Sequence, residues 1–465
     1  AHRRKQGRMK VIICGAGQVG YGIARRLASE GGEVTVIDRS KDLIRSITEK
    51  LDVKGLVGHG SHPHVLDKAG AKDADMVIAV TFSDEVNMVA CQICHSLFSV
   101  PTKIARIRAQ AYRDPTWQDL FSRKNMPIDV VISPEQEVAE TILRRFRNPG
   151  AFETVCFVDG RVEVVGVRLE EDCPVVDTPI KQLVDLFPDL RATVAGVIRQ
   201  DHLFTPDSDD QMMVGDDVFF VADRAHVARA LDIFGHAEAQ ARRVILIGGG
   251  NVGLFVARSL EQIPGLKVRL IESSKDRAEA IAEQLARTVV LHGDGLDREL
   301  LREAGVTDAE TVLTVTNDDQ VNILSGVIAK REGAARVLAL INNRDYARLV
   351  EPLGIDAFVD PRATTVSKIL EQIRKGRIKG VFSIRDGEAE VIDAIALETS
   401  PLVGSPLKDV RLPDGIVVGA IYRDDDVIMP TGSTQIRAGD RVVIFALREH
   451  VRTVEQMFRV SLEYF

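Results

Sequence analysis

The chain repeats itself, and that repeat constrains its fold more than any other feature. Lys10–Gly20 reads KVIICGAGQVG, and Arg243–Gly253 reads RVILIGGGNVG. Further blocks follow in the same order at a nearly constant offset. Gly58–Gly60 matches Gly293–Gly295, and Val65–Gly70 matches Leu300–Gly305. Val80–Asn87 matches Val315–Asn322, and Ile128–Pro134 matches Ile355–Pro361. Self-similarity in a fixed order is the signature of a duplicated structural unit, so whatever folds once here folds twice.

Each copy divides again. Its first part alternates short apolar runs with amphipathic helical patterns, the pattern of a parallel βαβ sheet. The runs in the first copy are Val11–Cys14, Val34–Ile37, Lys54–Val57, Met76–Val80, Ile104–Ile107 and Val130–Ile132. Between the first two, Val19, Ile23 and Leu27 recur at helical spacing. The last run of each copy ends at Pro134 or Pro361, and proline suits the first turn of a helix. These positions predict helices over Val138–Phe146 and Val366–Ile373. The second part of each copy is a small α+β pattern. It carries a shared VDTPIKQL/VGSPLKDV block and a Gly-Asp turn into a last strand, Val214–Ala222 against Ala438–Ala446.

The expected fold class is therefore α/β: two doubly wound parallel-sheet Rossmann domains, each followed by a small α+β domain. The expected boundaries are an extension over 1–8, domains over 9–148 and 149–235, a linker over 236–242, and domains over 243–376 and 377–465.

Gly15-Ala16-Gly17-Gln18-Val19-Gly20 follows a strand and opens a helix, the context a dinucleotide fingerprint requires. The first glycine permits the tight turn, the second lets backbone approach a pyrophosphate, and the third lets helix and strand pack closely. The helix start adds unpaired N–H groups and partial positive charge. Asp38 ends the second strand, placed to accept hydrogen bonds from the adenosine ribose. A carboxylate there also repels a 2′-phosphate. At about 4 Å that repulsion is about 1 kcal/mol in water and about 4 kcal/mol at intermediate dielectric, and each 1.4 kcal/mol is about tenfold in affinity. The expected ligand is NAD rather than NADP, with Arg39 next in sequence as a partial counterweight. The second copy repeats the arrangement as Gly248-Gly249-Gly250-Asn251-Val252-Gly253 and Glu272.

The copies differ elsewhere. His59 aligns with Asp294, Phe82 with Asn317, Arg106 with Leu340, and Arg108 with Asn342. Arg106 and Arg108 leave the fifth strand at its carboxyl end, where α/β sheets bind ligands, so each reads either as a phosphate contact or as a surface ion pair. His59, His62 and His64 read as a loop lining the nucleotide site rather than a metal set. Cys91 and Cys94 read as helix core, since free cysteine behaves as a small buried hydrophobe. Tyr112 and Trp117 read as packing residues on a following helix, and Asp424–Asp426 as a hairpin turn.

Composition narrows the function. The formal net charge is −8, which argues against a nucleic-acid partner. Five cysteines are too few for a disulfide scaffold and point to a reducing compartment. No apolar run approaches the roughly 18 residues of a membrane-spanning helix. The small domains offer no evident acid/base pair beside a nicotinamide, which favours sensing over turnover.

GAGQVG at Gly15–Gly20, GHGSHPHVL at Gly58–Leu66, ADMVIAVTFSDEVNMVA at Ala74–Ala90, IARIR at Ile104–Arg108 and LPDGIVVGAI at Leu412–Ile421 carry a family resemblance. The sequence resembles the TrkA family, peripheral NAD-binding subunits of bacterial Trk potassium uptake systems, and its modules look like RCK (KTN) N and C domains in N–C–N–C order. The resemblance implies a regulatory protein, not an enzyme. Such a protein binds NAD+ or NADH, and ATP or ADP at the same sites. It assembles as a ring, a tetramer, on the cytoplasmic face of the plasma membrane against an integral potassium translocator of the TrkH type. Carried over by position, the nucleotide residues are Gly15–Val19, Asp38, Thr81, Phe82 and Arg106, then Gly248–Val252, Glu272, Asp294, Thr316 and Asn317. Phe82 departs from the small polar residue expected there. An NAD-dependent oxidoreductase and a nucleotide-sensing subunit of another ion transporter are the alternatives.

Overall fold

The computed structural model describes residues 9–29, 31–236, 241–350, 352–373 and 378–458. The expected extension 1–8 and most of the linker 236–242 lie outside these residues.

The first parallel sheet arises from β1 (Lys10–Cys14), β2 (Glu33–Asp38), β3 (Lys54–Val57), β4 (Met76–Ala79), β5 (Thr102–Arg106) and β6 (Val130–Ile132). Its helices are α1 (Gln18–Ser29), α2 (Lys41–Lys50), α3 (Pro63–Lys68), α4 (Asp84–Ser96) and α5 (Pro134–Arg147). The strand order is β3-β2-β1-β4-β5-β6, the doubly wound arrangement that reverses beside β1. β1 and β4 bury nearly every residue, as strands covered on both faces must. Helix starts are written locally: the Ser40 hydroxyl accepts from Leu43 N–H, and Pro134 occupies the first turn of α5. Cys91 and Cys94 of α4 are buried in the core below β4 and β5. Burial drives the thiol of Cys91 well above its usual range and that of Cys94 up to about 12.

A small antiparallel sheet follows, made of β7 (Glu153–Phe157), β8 (Val162–Arg168), β9 (Ala192–Arg199), β10 (His202–Phe204) and β11 (Asp217–Asp223), with α6 (Ile180–Leu186) and α7 (Val227–Ile233). Its order is β10-β9-β11-β8-β7.

The second parallel sheet has β12 (Arg243–Ile247), β13 (Lys267–Glu272), β14 (Val289–His292), β15 (Thr311–Thr314), β16 (Val337–Leu340) and β17 (Ala357–Val359). Its helices are α8 (Asn251–Glu261), α9 (Lys275–Ala282), α10 (Arg298–Glu303), α11 (Asp319–Arg331), α12 (Arg344–Ala347) and α13 (Pro361–Ile373). Its order, β14-β13-β12-β15-β16-β17, repeats the first. The last sheet is β18 (Ile378–Ile384), β19 (Ala389–Ile395), β20 (Ile416–Arg423), β21 (Asp426–Ile428) and β22 (Arg441–Leu447), closed by α14 (Val451–Met457). It runs β18-β19-β22-β20-β21, again matching its counterpart strand for strand. Asp424 and Asp425 form the tight β20–β21 turn with positive φ, as expected for a hairpin.

The two copies are interlocked. Helix α5 does not cover its own sheet: Val138, Ile142 and Phe146 join the core of the second parallel domain, against Leu246, Val256 and Leu260. Helix α13 returns the exchange, placing Ile369 with Ile13, Ile23 and Leu27 of the first. A Cβ at Gly22 of α1 would come within 2.8 Å of Val366, so glycine there permits the close crossing. The small sheets also pack face to face, with Phe219 and Val221 against Val443 and Phe445. Arg26, in the last turn of α1, pairs with the buried Glu390 of β19 and ties the first Rossmann unit to the second small sheet.

Two local expectations are corrected. Tyr112 and Trp117 do not lie on a helix; Gln110–Arg113 and Pro115–Trp117 are separate 3-10 turns. Pro115 lacks the N–H that would continue a helix and disfavours helical geometry at Asp114. Trp117 is 60% exposed rather than packed, while Tyr112 leans on the core beside α4. The shared VDTPIKQL/VGSPLKDV block folds as helix α6 in the first copy but as a 3-10 turn, Leu407–Asp409, in the second.

Candidate functional site

The turn from β1 into α1 is held by atoms that leave little freedom. Gly15 has φ +115° and lies against the backbone of Val80 and Thr81. A Cβ on Gly20 would stand 1.8 Å from the Gly15 carbonyl oxygen. Next to Gly17 there is no atom within 4 Å of where a Cβ would be, so open space adjoins that backbone. The second copy reproduces all three features. Gly248 has φ +110°, a Cβ on Gly253 would meet the Gly248 oxygen at 1.9 Å, and Gly250 faces open space. This is a cradle in which a pyrophosphate can lie against backbone N–H groups.

The acidic residue is also part of the cradle. Asp38 accepts from Ala16 N–H at 2.8 Å and from Ser40 N–H at 2.8 Å. Glu272 accepts from Gly249 N–H at 2.7 Å and from Ser274 N–H at 2.8 Å. Each carboxylate oxygen takes one backbone donor and keeps a further lone pair for a sugar hydroxyl.

A cavity of about 550 Å³ opens over the first cradle. Gly15, Gly17, Gln18, Val19, Asp38, Arg39, His59, Thr81, Phe82 and Arg106 all line it. Ala16 and Gly20 are buried behind it. Burial, with His62 and Arg39 nearby, holds the His59 imidazole below the usual histidine range. Phe82 is 85% exposed at the rim, with the Arg108 guanidinium 5.1 Å from its ring centre. Arg108 resolves as an ion pair, 2.8 Å from Glu135. Arg106 does not: its Nε is buried without a partner, and burial, then Arg108, lowers its pKa. A desolvated, unpaired guanidinium on a cleft wall suits an anionic ligand.

The far wall comes from the other copy: Asn342, Pro361, Arg362 and Thr365 also line this cavity. Helix exchange therefore makes the first cleft a joint property of both halves.

In the second copy, Asn251, Val252 and Gly253 form the first turn of α8. Thr316 and Asn317 follow β15, and Asp294 follows β14 and accepts from Leu296 N–H. Sequence reading passed over two pairs of organising residues. Asn87, fully buried, accepts from Thr81 N–H and hydroxyl and donates to the Arg106 carbonyl. Asn322 does the same for Thr316 and Leu340. Asp84 and Asp319 take the backbone N–H groups that follow the fifth strands. Their identity in both copies of the matched block was the available signal. Among the described residues no group of three His, Cys, Asp or Glu side chains has metal-binding geometry.

The fold defines a tandem Rossmann protein with two glycine cradles of the dinucleotide type and a cavity over the first. Family comparison makes this specific. The TrkA-N domain model matches residues 11–134 and 244–361, and the TrkA-C domain model matches residues 164–235 and 392–459. The chain belongs to the TrkA family of Trk system potassium uptake proteins. It is 57% identical over 458 residues to the Trk system potassium uptake protein TrkA of Azorhizobium caulinodans, covering 98% of this chain and 100% of that one. It is 40% identical over 461 residues to the protein of the same name from Halomonas elongata, covering 98% and 100%. Among solved structures, the GsuK RCK domain aligns with TM-score 0.60 at 19% identity over 98% of this chain and 96% of that one. The GsuK channel bound to NAD aligns with TM-score 0.59 at 18% identity over 98% and 80%. These two share the fold.

Proposed function

We propose that this protein is the nucleotide-sensing regulatory subunit of a membrane potassium uptake system, and that it is not an enzyme. The observation that carries this is the first cleft: a dinucleotide cradle from one copy closed by a helix of the other. A ligand there touches two interlocked bodies at once. It shifts their arrangement by its differential affinity for the alternatives, which is all a regulatory ligand can do.

The proposed ligands are NAD(H) and the adenine nucleotides ATP and ADP. Gly15–Gly20 and Gly248–Gly253 take phosphate; Asp38 and Glu272 take ribose; Arg39, His59, Thr81, Phe82 and Arg106, with Asp294, Thr316 and Asn317, border the rest. The GsuK channel, which shares this fold and is bound to NAD, supports the dinucleotide, and the relatives' names support potassium. The proposed units are 9–148, 149–235, 243–376 and 377–465. No helix among the described residues is long and apolar enough to cross a membrane. In the proposed arrangement, a tetrameric ring of this chain sits in the cytoplasm against the inner face of a TrkH-type translocator.

The test is potassium flux into vesicles carrying the translocator. Added protein is expected to make uptake depend on NADH or ATP, and an Asp38→Ala, Glu272→Ala double variant is expected to lose that dependence. Uptake indifferent to the protein, or unchanged by nucleotide, would overturn the reading.

A further inference from the structure

The two cradles are alike, but the charges around them are not. Three guanidinium groups line the first cavity: Arg39, Arg106 and Arg362. Their side chains form no hydrogen bond or ion pair among the described residues, and the Nε of Arg106 is buried without a partner, whereas arginines elsewhere in the same domains are paired. Arg108 is held by Glu135, and Arg145 by Glu153. Among the described residues Asp38 is the only carboxylate lining the same cavity, and two backbone N–H groups already engage it. Glu135 and Asp84 act electrostatically on Arg106 without lining the cavity; among the lining residues three cations face one anion.

At the second cleft each of those cations is replaced. Ser273 stands in place of Arg39, and Leu340 in place of Arg106. The latter match is fixed by Asn87 and Asn322, which bond the two equivalent carbonyls. In the exchanged helices, Pro134 corresponds to Pro361, so Glu135 stands where Arg362 does. Glu135 pairs with Arg108, while the residue matching Arg108 is the neutral Asn342. The arginine beside the second cradle, Arg277, is spent on the loop itself, donating to the Gly249 carbonyl at 2.8 Å.

We infer that Arg362, supplied by the second copy's exchanged helix, is an anion-binding residue of the first cleft that grips phosphates beyond the α-phosphate of an adenine nucleotide, and that the second cleft lacks this grip. The inference rests on the nucleotide reading above and adds to it which cleft takes the more highly charged ligand. Its basis is charge complementarity: AMP ends at the cradle, while ADP and ATP extend further negative charge across the cavity toward the opposite wall.

The experiment is calorimetric titration of AMP, ADP and ATP into the full chain carrying Glu272→Ala, so that the first cleft dominates the signal. Adding Arg362→Ala is expected to weaken ATP about tenfold, ADP by less, and AMP by under twofold. A like charge is expected to cost more, so Arg362→Glu weakens ATP further, while Arg362→Lys recovers most of the affinity. ATP weakened no more than AMP would overturn the inference, because a merely structural role moves all three ligands together. Equal ATP affinity for Arg362→Glu and Arg362→Lys would overturn it too. If the chain with native Arg362 binds none of the three, the nucleotide reading itself fails, an outcome distinct from a failure at Arg362.

Discussion

Gly20→Ala is expected to abolish nucleotide binding at the first cleft while leaving the chain folded. The added carbon would sit 1.8 Å from the Gly15 carbonyl oxygen, well inside contact distance. The obstructing atom is backbone, so no side chain can swing away; either α1 must lift from β1 or the loop must open. Either movement displaces the N–H groups at the start of α1, which make the cradle an anion site. Overpacking of this kind costs about 1–3 kcal/mol in stability, well within what a protein of this size tolerates. The affinity loss is larger, because every phosphate contact depends on the same turn. We expect at least a hundredfold loss by calorimetry, with circular dichroism unchanged. The same change at Gly22 makes an informative contrast. Its Cβ would meet the Val366 side chain, which can shift, so binding at the cradle is expected to survive.

The second large effect crosses the repeat. Ile369 belongs to the second copy by sequence, yet it is fully buried in the core of the first. Ile369→Ala is expected to destabilise the protein by about 2–5 kcal/mol, the range for deleting a large aliphatic side chain from a close-packed core. Hydrogen exchange is expected to locate the loss at α1 and β1, some 350 residues earlier in the chain, rather than at β12 and α8. Faster exchange confined to the second parallel domain would contradict the exchanged packing.

That exchange shows where sequence reading stopped. The stripe of Val138, Ile142 and Phe146 declares a helix with one buried face, and Pro134 and Pro361 mark where the helices begin. Hydrophobic period says nothing about which sheet the face meets. Because each copy carries such a helix after the same proline, an apolar stripe alone leaves open which of the two sheets α5 covers. The six-strand order and the glycine cradles were legible, because turn geometry and helix initiation are written in adjacent residues. The far wall of the first cleft was not, since Arg362 and Arg106 lie more than two hundred residues apart and meet only through the exchange. Asp38 was read only for its dealings with the ligand, the ribose and the 2′-phosphate; its hydrogen bond to Ala16 N–H shows it also fastens the loop. The misplacement of Trp117 has a local cause, a helical expectation carried through a proline.

Stoichiometry tests the central claim most directly. Isothermal titration of NADH into the purified full chain is expected to report two bound nucleotides per chain. Asp38→Ala and Glu272→Ala are each expected to remove one, and the double variant both. A native chain that binds no adenine nucleotide, or single variants that leave both binding events intact, would contradict the account.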